Sequence, residues 1–349
     1  MNPDPTRAGE TQHDASQTVS IAEVAEAAGV STTTVSHVFS GRRPVAAATQ
    51  RRVTDAARRL GYRPSAIARA LRLGRTRTVA LITQDLTNPF YPALARGLQQ
   101  VLAAADHALM LLDTGGDNPS GPHAVDVCLE RQVDGIVVAV DGIAEDLRRI
   151  PPHVQLVGVG PEFLRHRGGQ PSMDVAMSDD VEIGRDVAEY LLLRGHREIA
   201  VVAGPEGLEP SLGRLKGFRE TLAAAGVTLG AHAVVHGDWT VESGTAGLTS
   251  LLRSGRPTAV FAANDLMALG VLRGAVAHHL SVPKDLAIVG VDDIDASALV
   301  APTLTTVHLR AAQIGREAGA LLLSRLDGGP PARTRTTVVP HFLVTRESA

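Results

Sequence analysis

One residue of 349 is a cysteine, Cys128, so the chain has no internal disulfide. It falls in an apolar helical pattern with Arg131 as its one close basic neighbour, the setting of a core residue rather than a reactive thiol. Lysine is almost absent: Lys216 and Lys284 stand against 32 arginines. Aromatic residues make up only 3%, with a single tryptophan, Trp239. No apolar run reaches the roughly 18 residues of a membrane span. Residues 1–17 are polar and net acidic with no hydrophobic segment, which excludes a secretory signal and predicts a disordered leader and a cytoplasmic protein. The motifs of common catalytic sites are missing as well. Gly158-Val159-Gly160 is followed by Pro161-Glu162-Phe163 and never completes GxGxxG, and GxxxxGK[ST], GxSxG and HExxH do not occur. The 13 histidines are scattered and no Cys/His spacing suits a metal. Asp179-Asp180 and Asp292-Asp293 read as strand-end turns rather than paired catalytic carboxylates. The chain is expected to be no enzyme and to need no cofactor or metal.

What is present starts with a three-helix pattern. Ile21, Val24, Ala25 and Ala28 recur at helical spacing, and Ser20 with Glu23 form a capping box in front of them. Gly29 suits the positive φ of a tight inter-helix turn, and Ser31 suits the cap of the next helix. That second helix turns Val35 and Val38 inward and leaves Thr32, Thr33, Ser36 and His37 on one polar face, as a major-groove reader requires. A third helix buries Val53, Ala56, Ala57 and Leu60, but Ala46-Ala47 at its start supplies no capping hydroxyl. From Val19 to Arg77 eleven arginines face three acids, a net charge of +8, although the whole chain carries −3. A basic head on an acidic body is the electrostatic footprint of a duplex-binding module. After Pro64, Ser65 can cap a short helix with Ile67, Ala70 and Leu71 on one face; about eight residues are too few for an isolated helix, so it is expected to fold on binding.

Beyond Thr78, short apolar strands alternate with amphipathic helices. Strands are expected at Ala108–Leu112, Gly135–Val140, Val154–Val159, Ile199–Ala203, Ala259–Ala262 and Leu286–Val291, and helices at Tyr91–Ala105, Ile183–Leu193, Arg214–Ala225 and Asp265–His278. This alternation predicts parallel sheets covered by helices on both faces. The turns TQDLTNP, AGPEG, AANDL and VGVDDID set polar groups at strand carboxyl ends, where open α/β sheets bind ligands. Arg310 to Leu326 is expected as a helix, and Thr334 to Thr345 as a returning strand pair broken by Pro340. No heptad helix follows Leu326, so nothing suggests a tetramerising coiled coil.

VAEAAGVSTTTVSHV, YRPSAIARALRLGRT, NPFY, RGHREIAVVAG, GRLKGF, GDW, AANDLMALG, VGVDD and PTLTTV follow one another along the chain. With these motifs in this order, the chain from about Val19 to Arg346 resembles the LacI/GalR family of bacterial transcription regulators. The resemblance implies an all-α helix-turn-helix head (residues 18–63), a hinge helix and linker (64–77), and an α/β periplasmic-binding-protein-like body of two parallel-sheet subdomains (78–346). The subdomains are expected over 78–193 with 304–327, and over 194–303 with 328–346. It further implies a homodimer on near-palindromic operator DNA, acting as a repressor under a small-molecule effector, most commonly a sugar or sugar derivative, held between the subdomains.

Carried over position by position, the resemblance assigns DNA contacts to Thr32, Thr33, Ser36, His37, Arg69 and Leu71, with Leu71 as a minor-groove wedge. His37 departs from the arginine that many members carry there, which changes the base it would read. Effector contacts fall on Arg214, Trp239, Asn264 and Asp292, and more weakly on Asn88, Phe90 and Asp141. Each has an ordinary alternative: a surface arginine, a core tryptophan, turn caps at Asn264 and Asp292, a helix start at Asn88. The stretch Val157 to Pro161 lacks the aspartate-arginine pair frequent in the family at that strand end. An exported solute receptor would share such a body, but would need a signal segment and no basic head.

Overall fold

The computed structural model describes residues 19–40, 43–62, 74–115, 121–140, 142–164, 173–328 and 333–349. The leader and the hinge helix, with Arg69 and Leu71, lie outside them, as does Asp141. The chain divides into two compact units, Met1–Thr76 and Arg77–Ala349.

The first unit holds α1 (Ile21–Ala28), α2 (Thr32–Ser40) and α3 (Ala47–Leu60). Both halves of the capping box form: the Ser20 hydroxyl accepts from Glu23 N, and the Glu23 carboxylate accepts from Ser20 N at 2.7 Å. Gly29 ends α1 at φ 62°. Ser31 Oγ then accepts from Thr34 N at 3.1 Å and starts α2, so turn and cap follow from the local residues. Val24, Ala25, Ala28, Val35, Val53, Ala56 and Ala57 close a small core. Ala46 precedes α3 with no side-chain cap.

Among the described residues, the second unit is built from two six-stranded sheets. The first contains β1 (Thr78–Thr83), β2 (Ala108–Asp113), β3 (Gly135–Ala139), β4 (Gln155–Val159), β5 (Asp174–Met177) and β11 (Thr336–Val338), ordered β11-β5-β4-β3-β1-β2 and parallel throughout. The second contains β6 (Ile199–Ala203), β7 (Val234–His236), β8 (Ala259–Ala262), β9 (Ala287–Asp292), β10 (Thr305–His308) and β12 (Phe342–Val344), ordered β12-β10-β9-β8-β6-β7, with only β12 antiparallel. Strands in the middle of each sheet are apolar on both faces because helices cover both. Val79 and Leu81 enter one core while Ala80 and Ile82 enter the other, and Val201 and Val202 divide the same way in the second sheet.

The helices of this unit are α4 (Phe90–Ala104), α5 (Gly121–Glu130), α6 (Ala144–Leu147), α7 (Asp180–Leu193), α8 (Glu209–Ala224), α9 (Val241–Ser254), α10 (Asp265–Ala277) and α11 (Ala311–Gly328). Cys128, on the inner face of α5, is buried in the core, where burial pushes its thiol up to about 12. No described helix is long and apolar enough to cross a membrane.

Three segments pack differently from the sequence-based expectation. Helix α7, expected with the first lobe, buries Ile183, Val187, Ala188 and Leu191 in the same core as Phe218 and Phe261 and so belongs to the second. β10 also joins the second sheet, while α11 packs Ile314, Ala318 and Leu322 into the first lobe. The strands flanking Pro340 are not partners: β11 pairs with β5 and β12 with β10. Among the described residues the chain therefore passes between lobes three times, at 177–180, 308–311 and 338–342.

Candidate effector cleft and DNA-reading face

On the head, Thr32 and Thr33 are exposed, Ser36 and His37 are half-buried, and Val35 beneath them is fully buried. The apolar side of α2 thus fixes which polar side chains face outward.

In the body, the carboxyl ends of both sheets face a cavity of about 640 Å³. Its lining brings together Asn88, Phe90, Arg214, Trp239, Asn264 and Asp292, which come from five separate stretches of sequence. Phe90 packs against the cores of both lobes.

Arg214 is 6% exposed, in the second turn of α8. The helix begins five residues before the expected start, because Pro210 occupies an early position where its missing N–H is harmless. Arg214 Nε donates to Asp180 Oδ1 at 2.8 Å and one Nη donates to the Ala263 carbonyl at 2.5 Å. Its guanidinium carbon lies 5.8 Å from the Trp239 ring centre. The only tryptophan follows β7 at φ 72°, an uncommon conformation for a residue with a side chain. Its indole edge lies against Gly204, where a Cβ would come within 2.2 Å of the ring. Glycine is required there for the ring to lie down on the end of β6.

Asn264 is the N-cap of α10: its Oδ1 accepts from Met267 N at 2.9 Å, and its Nδ2 donates to the Trp239 carbonyl at 3.1 Å. Its amide therefore fixes both the helix start and the tryptophan loop. Asn88 Oδ1 likewise accepts from Phe90 N at 3.0 Å, which fixes the start of α4 at the cavity wall. Asp292 ends β9 at φ 122°, a strained geometry of the kind held at ligand sites. Burial pushes its carboxyl well above the ordinary value; Arg214 pulls it back, while Asp265 and Asp180 add to the rise. Asp293 beside it is structural, accepting from Arg346 at 2.6 Å and facing His308 Nδ1 at 2.9 Å.

Sequence reasoning missed Asp180. In the sequence it reads as half of a turn, and Asp179 does cap α7 by accepting from Val181 N and Glu182 N, each at 3.1 Å. Asp180 instead is buried, lines the cavity and pairs with Arg214; burial holds its carboxyl up even beside that cation. Also missed were Asp85, Glu162, Glu206 and Asp238 on the lining. Burial raises Asp238, but hydrogen bonds from Thr240 and Ser243 outweigh it and leave its carboxyl below the ordinary value. The clue available in sequence was position alone: each acid follows the end of a strand by two or three residues.

A family model described as bacterial regulatory proteins, lacI family, matches residues 20–65, and one described as a periplasmic binding protein-like domain matches residues 188–349. The ribose operon repressor of Escherichia coli (strain K12) is 33% identical over 329 residues, covering 94% of this chain and 98% of that protein. The structure of the Lac repressor dimer bound to operator and the anti-inducer ONPF superposes with a TM-score of 0.83 at 26% identity, covering 95% of this chain and 99% of that one. The cellobiose complex of the transcriptional regulator CelR gives 0.70 at 31%, covering 95% and 100%. The chain belongs to the lacI family of bacterial regulatory proteins. It is a DNA-binding transcription regulator rather than an enzyme.

Proposed function

We propose that this regulator is a cytoplasmic repressor that binds a near-palindromic operator as a homodimer and is controlled by a sugar or sugar derivative in the cleft between its lobes. The observation that carries the reading is the convergence, at the strand carboxyl ends, of one aromatic wall, a buried arginine and several carboxylates. Trp239 offers an indole face to the apolar side of a sugar ring. Arg214 and Asp292 offer a donor and an acceptor to its hydroxyls, and Asn88 and Phe90 complete the wall on the first lobe. Asn264 acts through Trp239, by holding its loop. Asp141 and the hinge residues Arg69 and Leu71 keep their proposed roles from the family motif. The cellobiose and ribose named with the two relatives are consistent with this ligand class.

On the head, Thr32, Thr33, Ser36 and His37 read base edges while the surrounding arginines contact phosphates. Effector binding closes the lobes, which are joined by three crossings among the described residues, and changes how the paired hinge helices hold operator. The test is selection of genomic fragments on the purified full chain, with and without a panel of sugars. A recovered near-palindrome whose retention changes with one sugar supports the reading. Recovery of salt-labile, sequence-independent binding alone overturns it.

A further inference from the structure

The cleft lining is one-sided in charge. Asp85, Glu162, Asp180, Glu206, Asp238 and Asp292 contribute six carboxylates, and Arg214 is the one basic side chain among the described residues that line it. Arg214 is already engaged, with Nε on Asp180 and an Nη on the Ala263 carbonyl. Setting Asp180 against Arg214 and leaving Asp292 out of the count still leaves four acids on the cavity lining. They surround it: Asp85 follows β1, Glu162 follows β4, Glu206 follows β6 and Asp238 follows β7. Their placement is built in. The Glu162 carboxylate folds over Gly160, where a Cβ would lie 2.3 Å from its oxygen. Asp238 Oδ1 accepts from Thr240 N at 3.1 Å and from the Thr240 hydroxyl at 2.5 Å, which fixes it beside Trp239.

A phosphorylated or carboxylated ligand entering this cavity meets like charges in a partly desolvated space, and the one cation of the described lining is already charge-paired with Asp180. Hydroxyl groups, by contrast, donate to carboxylates, and an amine is attracted by both the acids and the indole face. Resting on the sugar-effector reading above, we propose that the cleft selects by charge: its ligand is an uncharged or amine-bearing polyol, and anionic sugars are rejected.

The single tryptophan reports this directly, because Trp239 sits on the cavity wall. Quenching of its fluorescence by caesium and by iodide in the full-length protein, each normalised to free tryptophan and run at equal ionic strength, measures the sign of the local potential without any knowledge of the ligand. Caesium is expected to quench at least about threefold more effectively than iodide, with the ratio reduced in E206Q and D85N. Equal quenching, or an iodide preference, overturns the proposal whatever the effector is. In a panel of matched ligands (glucose, glucosamine, glucose 6-phosphate and gluconate; ribose and ribose 5-phosphate) any binder is expected to be neutral or cationic, with its anionic counterpart at least about 100-fold weaker. A phosphorylated or acidic binder overturns it. If caesium is preferred and no panel member binds, charge selection stands and the sugar reading fails.

Discussion

Asp265 shows how much one buried carboxylate can hold. It is fully buried at the start of α10 and accepts from the Ile294 N–H at 3.0 Å, the Ser297 hydroxyl at 2.6 Å and the Thr306 hydroxyl at 2.6 Å, tying three segments of the second lobe together. Asp265→Asn presents an amide to those donors and is expected to cost about 2–4 kcal/mol, read as a lower urea midpoint with an unchanged slope. Burial raises the Asp265 carboxyl to about 6. A carboxyl raised in the folded state binds its proton more tightly than in the unfolded chain, so its contribution declines as pH rises from about 4 to 6. The gap in stability between wild type and Asp265→Asn should therefore narrow over that window; a widening gap would reverse the assignment. Asp180→Ala strands the Arg214 cation, and a loss of about 3–5 kcal/mol is expected, measured by the same unfolding. Trp239→Phe should leave stability within about 1 kcal/mol and operator binding intact while weakening the effector response. Arg214 and Trp239 stand out in the sequence because both sit in recognisable motifs and Trp239 is the single tryptophan. Asp180 was not: beside the capping Asp179 it looks like a second turn residue, and the partner that gives it meaning is 34 residues away.

Helix packing in the body depends on small residues at contact points. α4 and α11 approach so closely that a Cβ on Gly97 would lie 1.8 Å from the Ala312 carbonyl, and one on Gly315 would lie 2.0 Å from the Leu94 carbonyl. Gly97→Ala or Gly315→Ala must push the two helices apart, with an expected cost of about 1–3 kcal/mol or more in thermal or urea unfolding. In the head, Ser31→Ala removes the hydroxyl that starts α2 and should cost about 1 kcal/mol. These elements were legible where local pattern decides them: the capping box, the Gly29 turn and the central strands of both sheets sit within a residue or two of expectation. β5 and β7, of four and three residues, carry too few apolar positions to stand out. The strands around Pro340 look like a hairpin because neighbours in sequence usually pair, but the proline lies where the chain leaves one sheet for the other.

At the scale of the whole molecule, the assignment of segments to lobes was the part least available from sequence. An α7 that follows β5 directly has the composition of any helix covering a parallel sheet; only its long-range partners Phe218 and Leu222 place it in the second lobe. The consequence is functional, since residues 177–180, 308–311 and 338–342 all lie between lobes, and Asp180 and Leu309 line the cavity beside them. A ligand that bridges the lobes acts where the chain crosses. Occupancy of this cleft and affinity for operator are expected to be one equilibrium seen from two sites. Such coupling is reciprocal: the factor by which effector changes operator affinity must equal the factor by which operator changes effector affinity. The most direct test is to measure both in the full-length protein, operator binding by anisotropy with and without effector, and effector binding by Trp239 fluorescence with and without operator. One common factor of about 5–150 is expected in both measurements, abolished in Arg214→Ala. An effector that fills the cleft and leaves operator affinity unchanged would contradict this coupling.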